Sequence, residues 1–242
     1  RDPDITTIGD MNLAAERAHL EALFYEYESL LRVDLKGCTK LTSVGTGAFG
    51  RCSSLTSVVL PDSLTQVGDA AFGNCSSLTS VVLPDCLIQL SMGAFNGCSS
   101  LTSMVLPDSL TQVGDVAFGK CTSLTSLVFR DSLTLLGEGA FLRCTSLTSV
   151  ALPDSLTQIG KGAFMKCSSL TSVVLPDSLT QLGEQAFAGC TSLASVVMPD
   201  SAELGVDVFL NCDTLERKAT LAGCASVELY LRDRYKSITL RK

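Results

Sequence analysis

The sequence predicts a repeat solenoid, an elongated stack of similar coils, and two periodic features predict it. Phe recurs at intervals of 23 residues, with one final interval of 22, and each of these Phe residues is followed three positions later by Cys. A short pattern of alternating apolar residues recurs between the pairs. Because chance does not produce eight such pairs in register, the chain is built from a repeated unit. The pairs are Phe49–Cys52, Phe72–Cys75, Phe95–Cys98, Phe118–Cys121, Phe141–Cys144, Phe164–Cys167, Phe187–Cys190 and Phe209–Cys212.

Each unit begins with a strand pattern, described here for residues 55–77. Leu55, Val58 and Leu60 follow the L-x-x-L-x-L spacing of a leucine-rich repeat. Successive side chains of a strand point to opposite faces. Val58 and Leu60 are therefore predicted to point inward, and Val59 and Pro61 outward.

The rest of the unit predicts a turn and a short helical segment. Asp62, which follows a Pro, marks the end of the strand. We expect Gly68 to take a positive φ in a tight bend. Phe72 is predicted to lie in a short helical or 3₁₀ turn, and Cys75 to close the coil as a small buried side chain.

Stacked coils bury the apolar side that no single coil can bury alone. The fold predicted is a leucine-rich-repeat solenoid with one parallel β-sheet face and short helical or 3₁₀ turns opposite. The pattern L-x-x-V-x-L-P, then L-x-x-(I/V/L)-G, then A-F-x-x-C resembles the BspA-like leucine-rich-repeat family over residues 30 to about 212. The resemblance implies a surface or scaffold binding protein, adhesins included, and it names no ligand.

The ends of the chain depart from the repeat, as terminal units that cap an open core are expected to do. We divide the chain into an N-terminal segment (1–29), a solenoid of about eight units (30–212) and a C-terminal cap with a basic tail (213–242). Apolar residues at helical spacing over residues 10–31 predict an amphipathic capping helix that starts at Asp10. A partner-binding helix is the alternative for this segment.

The C-terminal segment holds seven of the eighteen basic residues. Residues 227–231 and 237–240 alternate like strands, which predicts a capping strand pair. A basic docking tail is the alternative.

No constellation for catalysis is visible, so we predict no enzyme activity, no cofactor and no metal site. The lone histidine, His19, has no second His to share a metal or a proton relay. Residues 45–50 match G-x-G-x-x-G, but they align with the turn of the next unit and are interpreted as a repeat turn. The eleven cysteines are interpreted mainly as reduced core thiols, because eight share one position in the repeat.

Composition narrows the class of partner. The net charge is −7, and an acidic chain repels phosphate backbones, so no nucleic acid is expected. No apolar run reaches the roughly 18 residues of a transmembrane helix, and docking on a membrane complex stays open. The many free thiols favour a reducing intracellular or organellar compartment.

Three surfaces are candidates for binding another protein. The first is an apolar strip on the strand face, where the recurrent Pro is replaced once by Arg130. Its central ladder, called the Val column below, is Val59, Val82, Val105, Val128, Ala151, Val174 and Val197. The second, the acidic ridge, either bonds local turn amides or attracts a basic partner, and calcium bridging is a further alternative. It comprises Asp62, Asp85, Asp108, Asp131, Asp154, Asp177 and Asp200.

The third candidate surface is the variable side, where the repeat is least regular. Leu142, Arg143, Met165 and Lys166 pair an apolar with a basic residue in two successive units. A uniform ladder alone would allow a partner to slide by one unit, and such residues would fix its register. The function predicted is a non-enzymatic interaction scaffold, an accessory or structural subunit docked on a larger assembly. A cell-surface adhesin or ligand-binding ectodomain is the alternative.

Overall fold

The computed structural model describes residues 7–8, 19–20, 24–199 and 201–232, with the backbone alone for 7–8 and 19–20. Each regular coil contributes a three-residue strand and a two-residue strand that are joined by turns. The first row of strands is β1 (Thr7–Ile8), β3 (Arg32–Asp34), β5 (Ser57–Val59), β7 (Ser80–Val82), β9 (Ser103–Val105), β11 (Ser126–Val128), β13 (Ser149–Ala151), β15 (Ser172–Val174) and β17 (Ser195–Val197). The second row is β2 (His19–Leu20), β4 (Ser43–Val44), β6 (Gln66–Val67), β8 (Gln89–Leu90), β10 (Gln112–Val113), β12 (Leu135–Leu136), β14 (Gln158–Ile159), β16 (Gln181–Leu182) and β18 (Glu203–Leu204).

All strand pairs are parallel and shifted by one repeat, so equivalent residues lie side by side, as Val59 and Val82 do. The predicted parallel sheet is confirmed by the first row, which is interrupted between β7 and β9 into two sheets. The second row forms one further sheet, which the sequence did not predict. The segment around each Phe is made of single turns, such as that closed by the Gly73 N–H donating to the Ala70 carbonyl at 2.9 Å.

A ladder of stacked Phe rings forms the centre of the core, as predicted. Ring centroids of neighbouring coils lie between 5.2 Å (Phe72 and Phe95) and 5.9 Å (Phe187 and Phe209) apart. The planes are nearly parallel, with 4° between Phe95 and Phe118. Because each ring contacts the ring before and after it, stability is transmitted along the stack from coil to coil.

The ladder of Cys side chains lies beside the Phe rings, and every cysteine that the structure describes is a free thiol. Each ladder thiol donates to the carbonyl of the Phe one coil back, as Cys75 Sγ does to Phe49 O at 3.1 Å. A residue at this position must therefore be small, apolar and able to donate one weak hydrogen bond, which Cys satisfies.

The recurrent Gly is required for close approach between coils, and the prediction of a positive φ at Gly68 is wrong. A Cβ at Gly68 would lie 2.9 Å from the carbonyl carbon of Gly45 in the previous coil. Positive φ occurs instead two residues later, at 49° for Ala70 and at the equivalent Gly93 and Val116.

The predicted helix over residues 10–31 is wrong for the part that the structure describes. His19–Leu20 is a strand that pairs with Ser43–Val44, and residues 24–31 are turns. Phe24 stacks on Phe49 at 5.5 Å, which extends the ring ladder by one coil. Spacings of three and four residues suit both a helix face and these turns, so the pattern was ambiguous. Residues 9–18 and 21–23 lie outside the described residues.

The C-terminal strand pair is also wrong where it is described. Helix α1 (Asp213–Leu221) buries Leu215 and Ala219 against the last coil, and residues 227–232 are helical. Val227, Tyr230 and Leu231 are buried, a helical spacing that the sequence pattern had hidden. Residues 237–240 lie outside the described residues. No helix within the described ranges is long and apolar enough to cross a membrane.

Helix α1 covers the open end of the stack through specific contacts. Lys218 Nζ donates to the Ala194 carbonyl at 2.7 Å, and Thr214 Oγ1 donates to the Thr191 carbonyl at 2.9 Å. These bonds satisfy carbonyls that a following coil would otherwise satisfy. Lys218 therefore belongs to the cap, while the tail residues Arg234, Lys236 and Arg241 lie outside the described residues.

Candidate functional site

The Val column runs along the outer side of the first strand row. Val82, Val105 and Val174 are 79%, 50% and 59% exposed, whereas the residues on either side of each of these three are buried. Val59 and Val197 near the two ends are half-buried. Hydrogen-bonded parallel strands hold the column rigid, so a partner that covers it orders little backbone.

The outer strip is narrower than the sequence predicted, because the Pro ladder is buried rather than outward. Pro61, Pro84 and Pro107 are buried, since the strand ends two residues before each Pro and the alternation ends with it. The Pro61 carbonyl instead accepts the Leu64 N–H at 3.1 Å and forms the turn.

A cleft interrupts the Val column where the first row of strands is broken. It has a volume of 320 Å³ and lies between β7 and β9, with Val82, Val105, Asp108 and Arg130 among its lining residues. Arg130 occupies the position of the recurrent Pro and is exposed, and its Nε lies 3.8 Å from Asp108 Oδ1. The strand face therefore has a non-repeating point in the column, in addition to the replacement of Val by Ala151.

The acidic ridge is placed as an exposed row beside the Val column. Asp62, Asp85 and Asp154 are exposed, and in the part of the chain that the structure describes their carboxylates accept no hydrogen bond from the turn amides. The turn-bonding alternative therefore has no support at these three positions. Asp200 lies outside the described residues, and within the described ranges no three acidic, thiol or imidazole groups come together as metal ligands.

The variable side brings its four predicted residues together in two adjacent coils. Arg143 and Lys166 are exposed, while Leu142 and Met165 are half-buried beside them. The Arg143 N–H donates to the Met165 carbonyl at 2.8 Å, which fixes the spacing of the two coils. Arg143 and Lys166 both have left-handed backbones, with φ of 61° and 63°.

A fourth surface was missed by the sequence reasoning and lies on the second strand row. Ile88 and Met92 are 60% and 53% exposed there, beside a depression of 560 Å³ that Asp69 and Asp115 also line. The signal was present in the sequence, since Thr and Asp occupy these two positions in the preceding unit.

The ladder thiols are unsuited to chemistry. Burial is the main cause that raises the pKa of Cys52 to about 11 and that of Cys212 to about 12. Burial likewise raises the pKa of Cys98 and Cys121 well above the ordinary value. These thiols stay protonated at neutral pH, and a thiol is a poor nucleophile.

Two sequence features remain, the G-x-G-x-x-G match and His19. Gly47, inside the G-x-G-x-x-G match, donates its N–H to the Asp69 carbonyl at 2.8 Å, so the segment is a repeat turn as predicted. His19 lies in β2, and its side chain is not among those described.

Comparison with known proteins gives a family and a fold. The model of the BspA-type leucine-rich-repeat region matches residues 20–146 and 88–216, in six copies. A leucine-rich-repeat protein of T. pallidum is similar at 32% identity and a TM-score of 0.60, over 81% of this chain and 84% of that one. One from Eubacterium ventriosum has a TM-score of 0.63 at 19% identity, over 76% of this chain and 59% of that one, and shows the fold alone. A search of curated proteins found no match.

Proposed function

Because this chain belongs to the BspA-type leucine-rich-repeat family, we propose that it is a non-enzymatic protein-binding scaffold that docks on a larger assembly through its strand face. Leucine-rich-repeat proteins are commonly surface or interaction proteins. The role as an accessory or structural subunit is the more specific part of the proposal, and the properties of the strand face support it.

The observation that carries the proposal is the exposed Val column. Val82 is 79% exposed on β7, the last strand before the cleft, and Val105 and Val128 follow on the hydrogen-bonded strands β9 and β11. Burying a fully exposed Val side chain is worth about 1.5 to 3 kcal/mol. Several such residues in one rigid row provide enough apolar area for a specific contact.

Register along the strand face comes from the cleft at β7 and β9. A uniform column would bind a partner equally well one coil further along, because equivalent residues repeat in every coil. The cleft between Val82 and Val105, with Arg130 at its rim, lies at the one break in the described first row of strands. A partner side chain seated in this cleft would fix one position.

Two further features support a binding role over catalysis. The buried Cys thiols have raised pKa values, as Cys52 shows, and so remain protonated. The acidic ridge beside the Val column favours a partner whose contact surface is apolar with basic residues at its edge. The thiol content also supports a reducing intracellular or organellar compartment as part of the proposal.

The experiment is gentle affinity purification of the native protein, followed by sizing and mass spectrometry. The proposal predicts recovery at constant stoichiometry inside a larger complex. The variant V82K/V105K/V174K is expected to be released from that complex while remaining folded, because it places three charges on the docking face.

The matched control is Q66K/Q112K/Q158K, which adds the same charge on the exposed side of the second strand row. It should remain in the complex. Recovery of the wild type as a free monomer would reject the accessory-subunit role. Recovery on the outer surface of intact cells would favour an adhesin instead. Equal release of both variants would show that the Val column is not the contact.

A further inference from the structure

We propose that Lys120, Arg143 and Lys166, the basic column, form a second binding site that takes an extended acidic segment of a partner protein. These residues occupy one equivalent position in three successive coils. The site lies in the turn segment that carries the Phe, away from the Val column in every coil. The inference rests on the proposed function in one respect only, that the ligand is a protein.

The spacing of the basic column is fixed by the backbone. The Lys120 N–H donates to the Leu142 carbonyl at 2.6 Å, and the Lys166 N–H donates to the Ala188 carbonyl at 2.7 Å. Neighbouring coils in a parallel stack are about 4.8 Å apart. Three cations therefore stand in a single row about 10 Å long.

Each of the three residues has a left-handed backbone, a conformation that disfavours residues with a Cβ. The φ values are 59° at Lys120, 61° at Arg143 and 63° at Lys166. Other coils place Gly97 or Gly189 at this position, where the same conformation carries no strain. The three cations are thus retained against a conformational cost, which indicates a role in binding rather than in folding.

The three cations also lack carboxylate partners within the chain. Among the residues that the structure describes, Lys120, Arg143 and Lys166 form no ion pair, although the molecule is acidic overall. All three are exposed. Like charges one coil apart repel each other, so an anionic ligand would relieve an unfavourable interaction and add a favourable one.

A fourth residue at the same position shows the kind of group that binds there. Arg51 has the same left-handed backbone, and its Nη1 lies 2.8 Å from Glu26 Oε1, a carboxylate of the preceding coil. The Arg51–Glu26 pair therefore shows, within the molecule, a basic residue at this position binding a carboxylate. Lys120, Arg143 and Lys166 offer the same contact to a carboxylate from outside.

The neighbouring residues favour a polypeptide over an anionic membrane. Leu142 and Met165 directly precede Arg143 and Lys166 in the sequence and are half-buried. They offer apolar contacts with the same coil-to-coil spacing as the cations. A segment that alternates acidic and apolar side chains matches this row. A net charge of −7 repels an extended anionic surface, whereas a narrow segment meets the basic column alone.

The test is fluorescence anisotropy with a labelled short peptide of alternating Glu and Leu, at low ionic strength. The wild-type chain should bind it, and K120Q/R143Q/K166Q should bind at least about tenfold more weakly. The control R32Q/K36Q/K40Q removes the same charge from three exposed residues of the first complete coil and should bind as the wild type does. Added salt should weaken wild-type binding.

The outcomes separate this site from the strand face. V82K/V105K/V174K should leave peptide binding intact, so a failed accessory-subunit role would not by itself remove the basic column. Absence of peptide binding, or equal loss in both neutralised variants, would overturn the inference. So would binding to vesicles of anionic phospholipid with none to the peptide.

Discussion

The Phe ladder and the Val column follow the same repeat along the same coils, yet they have opposite roles. Phe118 is fully buried and stacks on Phe95 and Phe141 at 5.5 Å and 5.4 Å. Val105, in the same repeat unit, lies beside Val128 in the next coil but is 50% exposed to solvent. Periodicity alone therefore does not distinguish a ladder that stabilises the fold from one that is available to bind a partner. The exposed fraction of the side chains distinguishes them.

The strongest test of the interior ladder is alkaline pH, since eight buried thiols lie beside the Phe rings. Their folded pKa values are raised, to about 11 at Cys52, mainly by burial. Thiols of the unfolded chain ionise near pH 8.5 to 9, and those of the folded chain do not. The free energy of unfolding should thus be unaffected below about pH 8 and fall by about 1.4 kcal/mol per pH unit for each thiol above it.

Urea unfolding in reductant at several pH values checks this. Summed over the eight ladder thiols, the loss in the free energy of unfolding approaches about 11 kcal/mol per pH unit. Replacing Cys98 and Cys144 by Ala should reduce the slope by about a quarter, as two of the eight thiols are removed. Replacing the half-buried Cys86 and Cys224 by Ser should leave most of the pH dependence of the free energy of unfolding unchanged. A stability that does not change between about pH 8 and 10 would show that the thiols are not sealed from solvent.

The next largest effect is expected from a single ring. Phe118→Ala removes two stacking contacts and leaves a cavity in the centre of the stack, which should destabilise the fold by about 3 to 5 kcal/mol. Val105→Ala, on the Val column of the same unit, should change stability by less than about 0.5 kcal/mol. Chemical denaturation measures both. Similar losses for the two would remove the distinction drawn between the ladders.

A smaller and opposite effect is expected at Val116, which lies in the turn before the Phe118 ring. Its φ is 45°, a conformation that a β-branched residue rarely adopts. Val116→Gly should stabilise the fold by roughly 1 kcal/mol, as measured by denaturation. Val113→Gly, at a buried residue of β10 three positions earlier, is the control and should destabilise the fold. A loss at both positions would mean that Val116 contributes more by packing than it costs in strain.

The smallest effect on stability is expected on the Val column itself. Each of Val82→Lys, Val105→Lys and Val174→Lys should change the free energy of unfolding by no more than about 0.5 kcal/mol. The long aliphatic stem of Lys is tolerated on an exposed strand. Thermal melts of the single variants measure this. A drop of several degrees in each melting temperature would show that the column serves the fold.

The regular coils were predictable because their repeat is unambiguous, and the ends were not. The Phe and Cys ladders follow directly from residue spacing. At the N-terminus, Phe24, Tyr27 and Leu31 fit a helix face, although residues 24–31 form turns, and the stacking of Phe24 on Phe49 decides between the two. At the C-terminus, residues 227–231 alternate in sequence but pack at helical spacing.

The candidate surfaces were predicted as positions, while their exposure required the structure. Pro61 follows an alternating pattern yet turns inward, because the strand stops at Val59. The 23-residue spacing already places Lys120 in register with Arg143 and Lys166. Their shared exposure and left-handed backbone required the structure.

The most direct test of the central claim, that the strand face is the docking surface, is hydroxyl-radical footprinting of the native assembly against the free chain. We expect strong protection of Val82, Val105 and Val174 in the assembly. Ile88 and Met92, equally exposed on the second strand row, should react alike in both states. Protection of Ile88 and Met92 with the Val column still reactive would contradict the account and move the docking surface to the opposite row of strands.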